Sequence, residues 1–255
     1  MEDAVERIAE ALRRAERILI ISGAGLSADS GLPTYRGLGG LYNGCTAEGL
    51  PIEAALSASM LRRDPALCWK YLAELGRACL AARPNAGHEA IAELQRLKPG
   101  CWVLTQNIDG YHRAAGSPPE RLIEIHGELS PLYCQVCGTH SDALAEYLER
   151  PLPPRCARCG GVLRPPVVLF EEMLPVQACQ ILSEQLARGF DAVLAVGTTA
   201  SFPYIVEPVL CTWQAGGFTA EINPQRTDLS DIVDIHLPRR ASHVFPSLLA
   251  HLSRP

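Results

Sequence analysis

The 255-residue sequence contains no apolar run long enough to cross a membrane as a helix, which takes about 18 residues or more. Its first segment, MEDAVERIAEALRRAERI, mixes acidic with basic side chains and lacks the apolar stretch of a secretory signal peptide. These absences predict a cytoplasmic protein without a membrane partner. Because the cytoplasm keeps thiols reduced, we expect no disulfide bonds among the ten cysteines.

Positive charge is not in excess either. The formal net charge is −5 at pH 7, so no sequence-wide basic field would attract nucleic acid, and we expect no specific nucleic-acid partner. Internal repeats and low-complexity segments are also lacking. A chain of this length is expected to form one large α/β domain with a smaller insert and a substantial core.

An apolar run, Ile18 to Ile21, predicts a buried parallel strand. It is followed by Gly23-Ala24-Gly25, where glycine allows a sharp turn and a close approach of the backbone to a ligand. Ser27 then follows as a candidate residue for the start of a helix, whose first amides bind anions. The pattern indicates a pyrophosphate-binding turn, although its G-A-G-x-S spacing differs from the full G-x-G-x-x-G.

Beyond this turn, Tyr35 and Arg36 lie in a glycine-rich, charged segment. A mobile loop of this composition suits a cofactor that is broken during turnover, because it can close over the cofactor and exclude water. The alternative is an ordinary surface loop.

Strand-like and helix-like segments alternate along most of the chain. Further strands are predicted at residues 101–104, 121–125, 167–170, 192–196, 218–222 and 232–237. This alternation predicts a doubly wound, Rossmann-like parallel sheet of about six strands. The dinucleotide-binding domain would comprise residues 1–43, 84–127 and 166–255, while a helical insertion (44–83) and a cysteine-containing insertion (128–165) would form a smaller lobe.

The second insertion carries two C-x-x-C pairs separated by eighteen residues: Cys134 with Cys137, and Cys156 with Cys159. This spacing is typical of a four-cysteine zinc site. With all four positions filled by thiolates, the zinc would be structural, because no coordination position stays open for a substrate. Two unrelated reduced pairs or a redox dithiol are the alternative. The other cysteines are expected in apolar cores: Cys45, Cys68, Cys79, Cys101, Cys179 and Cys211.

His126 follows a predicted strand, and residues 106–109, with the sequence Gln-Asn-Ile-Asp, follow another. The carboxyl ends of parallel strands face one crevice, so these side chains are expected to meet the glycine turn there. An imidazole titrates near neutral pH, which makes His126 a candidate for acid–base chemistry. A packed, hydrogen-bonded histidine without a catalytic role is the alternative.

The motifs GAGLSADSGLPTYRG, PNAGH, TQNID, EIHG, VGTT and EINP, together with the two C-x-x-C pairs, occur in this order. In this order and spacing the chain resembles the sirtuins, NAD-dependent protein-lysine deacylases, from about Ile18 to the last predicted helix. The resemblance implies NAD as co-substrate, a structural zinc, and acyl-lysine proteins or peptides as substrates. In the family's reaction nicotinamide leaves NAD, and the products are free lysine and O-acyl-ADP-ribose.

The resemblance also implies roles for individual residues. His126 would be the general base, with Asn107 and Asp109 as further catalytic residues. The implied NAD contacts are Gly23, Ala24, Gly25, Ser27, Tyr35, Arg36, Gln106, Asn107, Ile108, Asp109, Gly197, Thr198, Thr199, Asn223, Gln225 and Ala241.

The chain departs from the family pattern in the substrate pocket. Sirtuins that prefer succinyl or malonyl groups carry a Tyr and an Arg where Leu72 and Leu75 stand here. Two leucines on one helix face form an apolar wall, so we expect a preference for neutral acyl groups; the alternative is that both only pack the helix. Val168 and Phe170 are expected to line the pocket. Glu171 replaces a usual glycine, which puts the peptide preference in question.

Three other functions remain as alternatives. NAD-dependent protein ADP-ribosylation would use the same first step. A nicotinamide dehydrogenase fits poorly, because no acidic residue stands about twenty residues after the glycines. A non-enzymatic NAD-sensing or zinc-ribbon module would leave His126 and Asp109 with structural roles. We expect a monomer.

Overall fold

The computed structural model describes residues 2–33 and 45–252. Its helices are α1 (Glu2–Arg14), α2 (Ala24–Ala28), α3 (Ile52–Ala55), α4 (Ala58–Arg63), α5 (Pro65–Ala81), α6 (Ala86–Leu97), α7 (Tyr111–Ala114), α8 (Leu144–Leu148), α9 (Val176–Ala187), α10 (Pro203–Gln214) and α11 (Ala241–Leu252), with a 3₁₀ turn at Pro119–Arg121. Its strands are β1 (Ile18–Ser22), β2 (Cys101–Thr105), β3 (Leu122–Glu124), β4 (Leu132–Cys134), β5 (His140–Ser141), β6 (Leu163–Arg164), β7 (Ala192–Val196), β8 (Phe218–Ile222) and β9 (Ile235–Leu237).

Six of the strands form one parallel sheet in the order β3-β2-β1-β7-β8-β9. Counted along the chain within this sheet, the order is 3-2-1-4-5-6, which is that of the doubly wound dinucleotide-binding fold. The predicted fold class is therefore confirmed. In such a sheet the strand order reverses between the first and fourth strands, here β1 and β7, and a crevice opens at their carboxyl ends.

Helices cover both faces of the sheet. Successive side chains of a strand point to opposite faces, so each strand contributes to two cores. Ile18 and Ile20 of β1 lie in a core formed with α1, α6 and α11. Leu19 and Ile21 lie in a second core formed with α9 and α10. Burial on both faces explains why β1 is apolar at successive positions rather than alternating.

The apolar residues of α1 recur at helical spacing and are the buried ones, which is the pattern of an amphipathic helix. Two large apolar side chains of the longer helices, Leu80 and Leu97, are 55% and 43% exposed. Each lies in the last turn of its helix, beyond the part that packs against the core.

The strand predicted at residues 167–170 is wrong. This segment forms only isolated bridges, Gly127 with Val167 and Ser57 with Phe170. Val167 and Leu169 are buried while Val168 and Phe170 are half-buried, so the segment keeps the alternation of a strand. It lacks a continuous partner because its first residue pairs with the chain after β3 and its last residue pairs with the helical insertion. The strand predicted at 232–237 is shorter and begins at Ile235.

A separate core joins the two insertions. Residues of α3, α4 and α5 pack against residues between 129 and 169, which include the antiparallel strands β4, β5 and β6. The indole Nε1 of Trp69 in α5 donates to the carbonyl of Leu163 in β6, at 2.8 Å. Among the described residues, no helix has the length and apolar character needed to span a membrane.

Candidate active site

Two glycine turns meet at the carboxyl edge of the sheet. The amide of Gly25, after β1, donates to the carbonyl of Gly197, after β7, at 2.8 Å. A Cβ on Gly25 would lie 2.7 Å from the Cα of Gly197, and a Cβ on Gly197 would lie 2.4 Å from the amide nitrogen of Leu26. Glycine is therefore needed at these positions because the two turns touch each other. The sequence suggested another reason, the close approach of a ligand.

The TQNID segment is tied to the first of these turns. Ser27 lies inside α2 rather than at its start, and its hydroxyl donates to Oδ2 of Asp109 at 2.6 Å. The amide nitrogen Nδ2 of Asn107 donates to both Ser27 Oγ and the carbonyl of Gly23, at 3.1 Å each. Burial raises the pKa of Asp109, and the hydrogen bond from Ser27 opposes this effect.

The second turn is tied to two further loops through Thr198. Nε2 of Gln106 donates to its Oγ1 at 2.7 Å, and Nδ2 of Asn223 donates to its carbonyl at 2.9 Å. The amide of Gln225 donates to Oδ1 of Asn223 at 3.2 Å. The loops that follow β1, β2, β7 and β8 thus form one connected, polar edge.

His126 lies two residues after β3, beside this edge. Its Nδ1 is 3.0 Å from the carbonyl of Gln106, and a carbonyl can only accept, so Nδ1 carries the proton. In the neutral ring Nε2 then has a free lone pair, which accepts from the hydroxyl of Tyr204 at 2.7 Å. Burial lowers the pKa of His126, an effect that the hydrogen bond to Gln106 opposes. The ring is therefore neutral at pH 7 and is equipped to accept a proton at Nε2.

The expected substrate segment lies between His126 and the helical insertion. The amide of Val168 donates to the carbonyl of His126 at 2.8 Å. The amide of Phe170 donates to the carbonyl of Leu56 at 3.0 Å, and the carbonyl of Phe170 accepts from Ala58 at 2.9 Å. This segment is thus hydrogen-bonded on one side to the chain after β3 and on the other side to the helical insertion.

Several of the other residues that were predicted to belong to the site pack in the hydrophobic cores. Leu72 and Leu75 are 2% and 8% exposed in the core of the insertions, which agrees with the alternative that they only pack the helix. Ala241, the first residue of α11, is 3% exposed in the core beneath the sheet. Thr199 is exposed, and Ile108 is half-buried against the core of the insertions. Tyr35 and Arg36 lie outside the described residues.

The four cysteines of the C-x-x-C pairs form one cluster, with their sulfurs within 4.8 Å of one another. Cys134 and Cys159 have Sγ atoms 3.4 Å apart, and those of Cys137 and Cys156 are 3.7 Å apart. Zinc bound to four thiolates at about 2.3 Å needs sulfurs about 3.8 Å apart, so the cluster fits this metal.

Sequence reasoning missed several side chains of the site. Tyr204 and Phe202 lie directly beside His126, and the rule that places ligands at strand ends would have found them, since both follow β7 closely. The ion pair of buried Arg164 with half-buried Glu172, at 2.6 Å, joins residues from two segments of unremarkable composition. No sequence signal predicted that pairing.

Comparison with known proteins identifies relatives that match along nearly the whole chain. The sequence profile of the Sir2 family matches residues 23–203. The NAD-dependent protein deacylase 2 of Pseudomonas aeruginosa is 74% identical over 250 residues, covering 98% of each chain. The protein of the same name from Pseudomonas syringae pv. tomato is 70% identical over 244 residues, covering 96% of this chain and 98% of its own.

Solved structures agree with this result. A structure described as a complex of a Sir2 homologue with NAD superposes with a TM-score of 0.85 at 33% identity, over 97% of this chain and 93% of the other. Another, described as a Sir2 protein bound to a myristoylated histone peptide, has a TM-score of 0.81 at 29% identity, over 100% of this chain and 98% of the other. By sequence and by fold, this chain belongs to the Sir2 family.

Proposed function

We propose that this chain is an NAD-dependent protein-lysine deacylase in which His126 is the general base. The names of its relatives at 74% and 70% identity support the activity. The observation that carries the role of His126 is its hydrogen bonding, because the carbonyl of Gln106 leaves Nε2 as the basic atom. This ring also lies at the carboxyl edge of the sheet, where the fold binds dinucleotides.

The donors and acceptors along that edge fit a dinucleotide. Gly23, Ala24, Gly25 and Ser27 would hold its pyrophosphate at the start of α2, where no side chain caps the helix. The amides of Gly25 and Leu26 already donate to the carbonyls of Gly197 and Gly23, so the amide of Ala24 would be the donor. The nicotinamide and its ribose would contact Gln106, Asn107, Ile108 and Asp109, and the adenosine end would contact Gly197, Thr198, Thr199, Asn223, Gln225 and Ala241. Tyr35 and Arg36 would belong to the loop that closes over the cofactor. When bound, NAD supplies a ribose carbon that becomes electron-deficient as nicotinamide leaves.

The chemical role of His126 follows from its two nitrogens. Nε2 accepts a proton from a hydroxyl placed beside it, while Nδ1–H keeps its bond to the carbonyl of Gln106. That carbonyl stabilises the positive charge of the resulting imidazolium. A depressed pKa keeps the base available at neutral pH, as general-base catalysis requires.

The small lobe would comprise residues 44–83 and 128–165, with residues 1–43, 84–127 and 166–255 forming the NAD-binding domain. The shared core of the insertions supports this division. Zinc bound by Cys134, Cys137, Cys156 and Cys159 would hold the lobe together without taking part in the reaction.

The substrates would be acyl-lysine proteins or peptides that enter along Val168 and Phe170 and carry neutral acyl groups. The preference follows from leucine at positions 72 and 75, because both side chains pack in the core of the insertions and neither position offers a cation to an acidic acyl group. The myristoylated peptide bound by a relative supports the acceptance of long neutral chains. We further propose that the protein is cytoplasmic and acts as a monomer.

The decisive experiment incubates the protein with NAD and peptides of one sequence carrying acetyl, myristoyl or succinyl lysine. Nicotinamide is measured by chromatography, and the masses of peptide and nucleotide products are determined. Deacylated peptide with O-acyl-ADP-ribose, formed faster from the neutral acyl groups, is the expected result. A peptide or protein that gains ADP-ribose would indicate a transferase. No nicotinamide release from any peptide would contradict the proposal, and faster desuccinylation would contradict the role of the leucines.

A further inference from the structure

The hydroxyl of Tyr204 lies 2.7 Å from Nε2 of His126. Because Nδ1 already donates to Gln106, the neutral ring has a single lone pair, at Nε2, and the tyrosine hydroxyl occupies it. Burial raises the pKa of Tyr204 to about 12, so its hydroxyl stays protonated and remains a donor at neutral pH. Cys179 in α9 makes a smaller contribution to raising the pKa of Tyr204.

Aromatic packing holds the tyrosine in this place. Its ring stacks on Phe202 with centroids 5.3 Å apart and an angle of 10°. Both rings meet the imidazole edge to face, at centroid distances of 5.9 Å for Phe202 and 6.0 Å for Tyr204. Phe202 is 38% exposed, so this pair lies at the solvent side of the histidine rather than behind it.

The position of this hydroxyl conflicts with the proposed reaction. The lone pair of Nε2 points along the plane of the imidazole, so a hydroxyl that gives its proton to His126 must occupy the place that Tyr204 holds. Only one strong donor can use that lone pair at a time. The tyrosine hydroxyl therefore stands where the reacting hydroxyl has to stand.

We propose that Tyr204 is a positioning residue that occupies Nε2 of His126 in the free enzyme and is displaced by the ribose hydroxyl of the nucleotide. This inference rests on the proposed function of His126. The contact keeps a half-buried nitrogen hydrogen-bonded while the site is empty, which avoids the cost of an unsatisfied polar atom. Its consequence is competition, because part of the nucleotide's binding energy is spent in breaking the bond.

The test uses Tyr204→Phe, which removes the hydroxyl and leaves a ring able to stack on Phe202. Tyr147→Phe, in α8 and outside the site, is the matched control for the same chemical change. Calorimetry with ADP-ribose measures the dissociation constant without turnover. The hydroxyl competes only through Nε2, so the same substitution is also made in a His126→Ala background.

Tyr204→Phe is expected to bind ADP-ribose up to about fivefold more tightly, which corresponds to one ordinary hydrogen bond. The KM for NAD falls by a similar factor while kcat stays within about twofold, because the bond is already broken in the ternary complex. In the His126→Ala background the substitution changes the dissociation constant no more than Tyr147→Phe does.

Three results would overturn the inference: unchanged ADP-ribose binding in Tyr204→Phe, an equal gain in the His126→Ala background, or a large fall in kcat. The second would mean that the hydroxyl only takes up space, and the third that it takes part in the chemistry. Because calorimetry needs no catalysis, this outcome is separate from that of the acyl-peptide assay, which alone decides the deacylase activity.

Discussion

The carboxylate of Glu171 accepts hydrogen bonds from the backbone amide and the hydroxyl of Ser59, at 3.0 and 3.1 Å. Glu171 has φ of 71°, a left-handed conformation that is strained for glutamate but not for glycine, which has no Cβ. The side chain thus ties the segment after Phe170 to the helical insertion. Its charge is used within the chain, rather than being left to meet a basic peptide.

This relationship predicts effects of different size for two substitutions of Glu171. Glu171→Ala keeps the left-handed strain and loses both hydrogen bonds, so it should lower the free energy of unfolding by about 1–2 kcal/mol. Glu171→Gly loses the same bonds but relieves about 1 kcal/mol of strain, so its stability should stay close to that of the parent. Chemical denaturation measures both. Equal losses in the two variants would show that the backbone conformation carries no cost.

His126→Ala should lower deacylation about 100-fold or more, since general-base catalysis contributes rate enhancements of that order. The fold should remain, because the ring is only half-buried. Steady-state turnover of an acetylated peptide and circular dichroism check the two statements. His243→Ala, an exposed change on α11, is the control and should keep full activity. Turnover by His126→Ala near the parent level would refute its role as base.

The pH dependence of kcat/KM should follow the protonation of the His126 ring. Burial lowers the pKa of His126 below its ordinary value of about 6.5, so the neutral base persists to lower pH than a free histidine would allow. The acid limb of kcat/KM should therefore lie below pH 6.5, with a plateau through pH 7 and 8. A limb centred above pH 7 would contradict the effect of burial.

Two buried histidines predict acid sensitivity of the fold. Burial lowers the pKa of His88 to about 4 and that of His112 to about 3. Both are near 6.5 in the unfolded chain, so between pH 6.5 and 4 the unfolded state binds more protons than the folded state. Stability should therefore fall as pH drops through this window, by up to about 1.4 kcal/mol per pH unit for each histidine.

Denaturation midpoints at pH 7, 5.5 and 4.5 measure this loss. His88→Gln removes one titrating group and should reduce the slope relative to the parent. Its stability at pH 7 should be lower because the edge-to-face contacts of the buried imidazole with Tyr111 and His112 are lost. His140→Ala, an exposed change in β5, should leave the slope as it is. An unchanged slope in His88→Gln would contradict the prediction.

Loss of the metal should unfold the second insertion. Cys156→Ser removes one ligand of the cluster, so bound zinc should fall from one equivalent and the core shared with α5 should loosen. Zinc content by mass spectrometry and the fluorescence of Trp69, whose indole is bonded to Leu163, would report these changes. Cys211→Ser alters a thiol outside the cluster, which is exposed and does not lie in an apolar core as predicted from sequence, and the change should affect neither readout. Full zinc content in Cys156→Ser would rule out the four-thiolate site.

Much of this fold could be predicted from sequence because its signals are local. The apolar run at Ile18 to Ile21 and the amphipathic spacing of α1 reflect burial that depends on strand and helix periodicity alone. The four-cysteine site is also a local signal, because the spacing within and between the two C-x-x-C pairs predicts it. The segment 167–170 was misread because its composition suits a strand, while a strand also needs a neighbour that only the assembled chain supplies.

Strand periodicity and cysteine spacing are enough to predict the doubly wound sheet, the four-cysteine cluster and the position of His126 after a strand. Which side chains meet at the strand ends depends on how the whole chain folds. Gly25 against Gly197, Ser27 on Asp109 and Tyr204 on His126 join residues 78 to 172 positions apart, and the periodicity of a sequence holds no information about such pairs. Those contacts arise because parallel strands bring all their carboxyl ends to one edge.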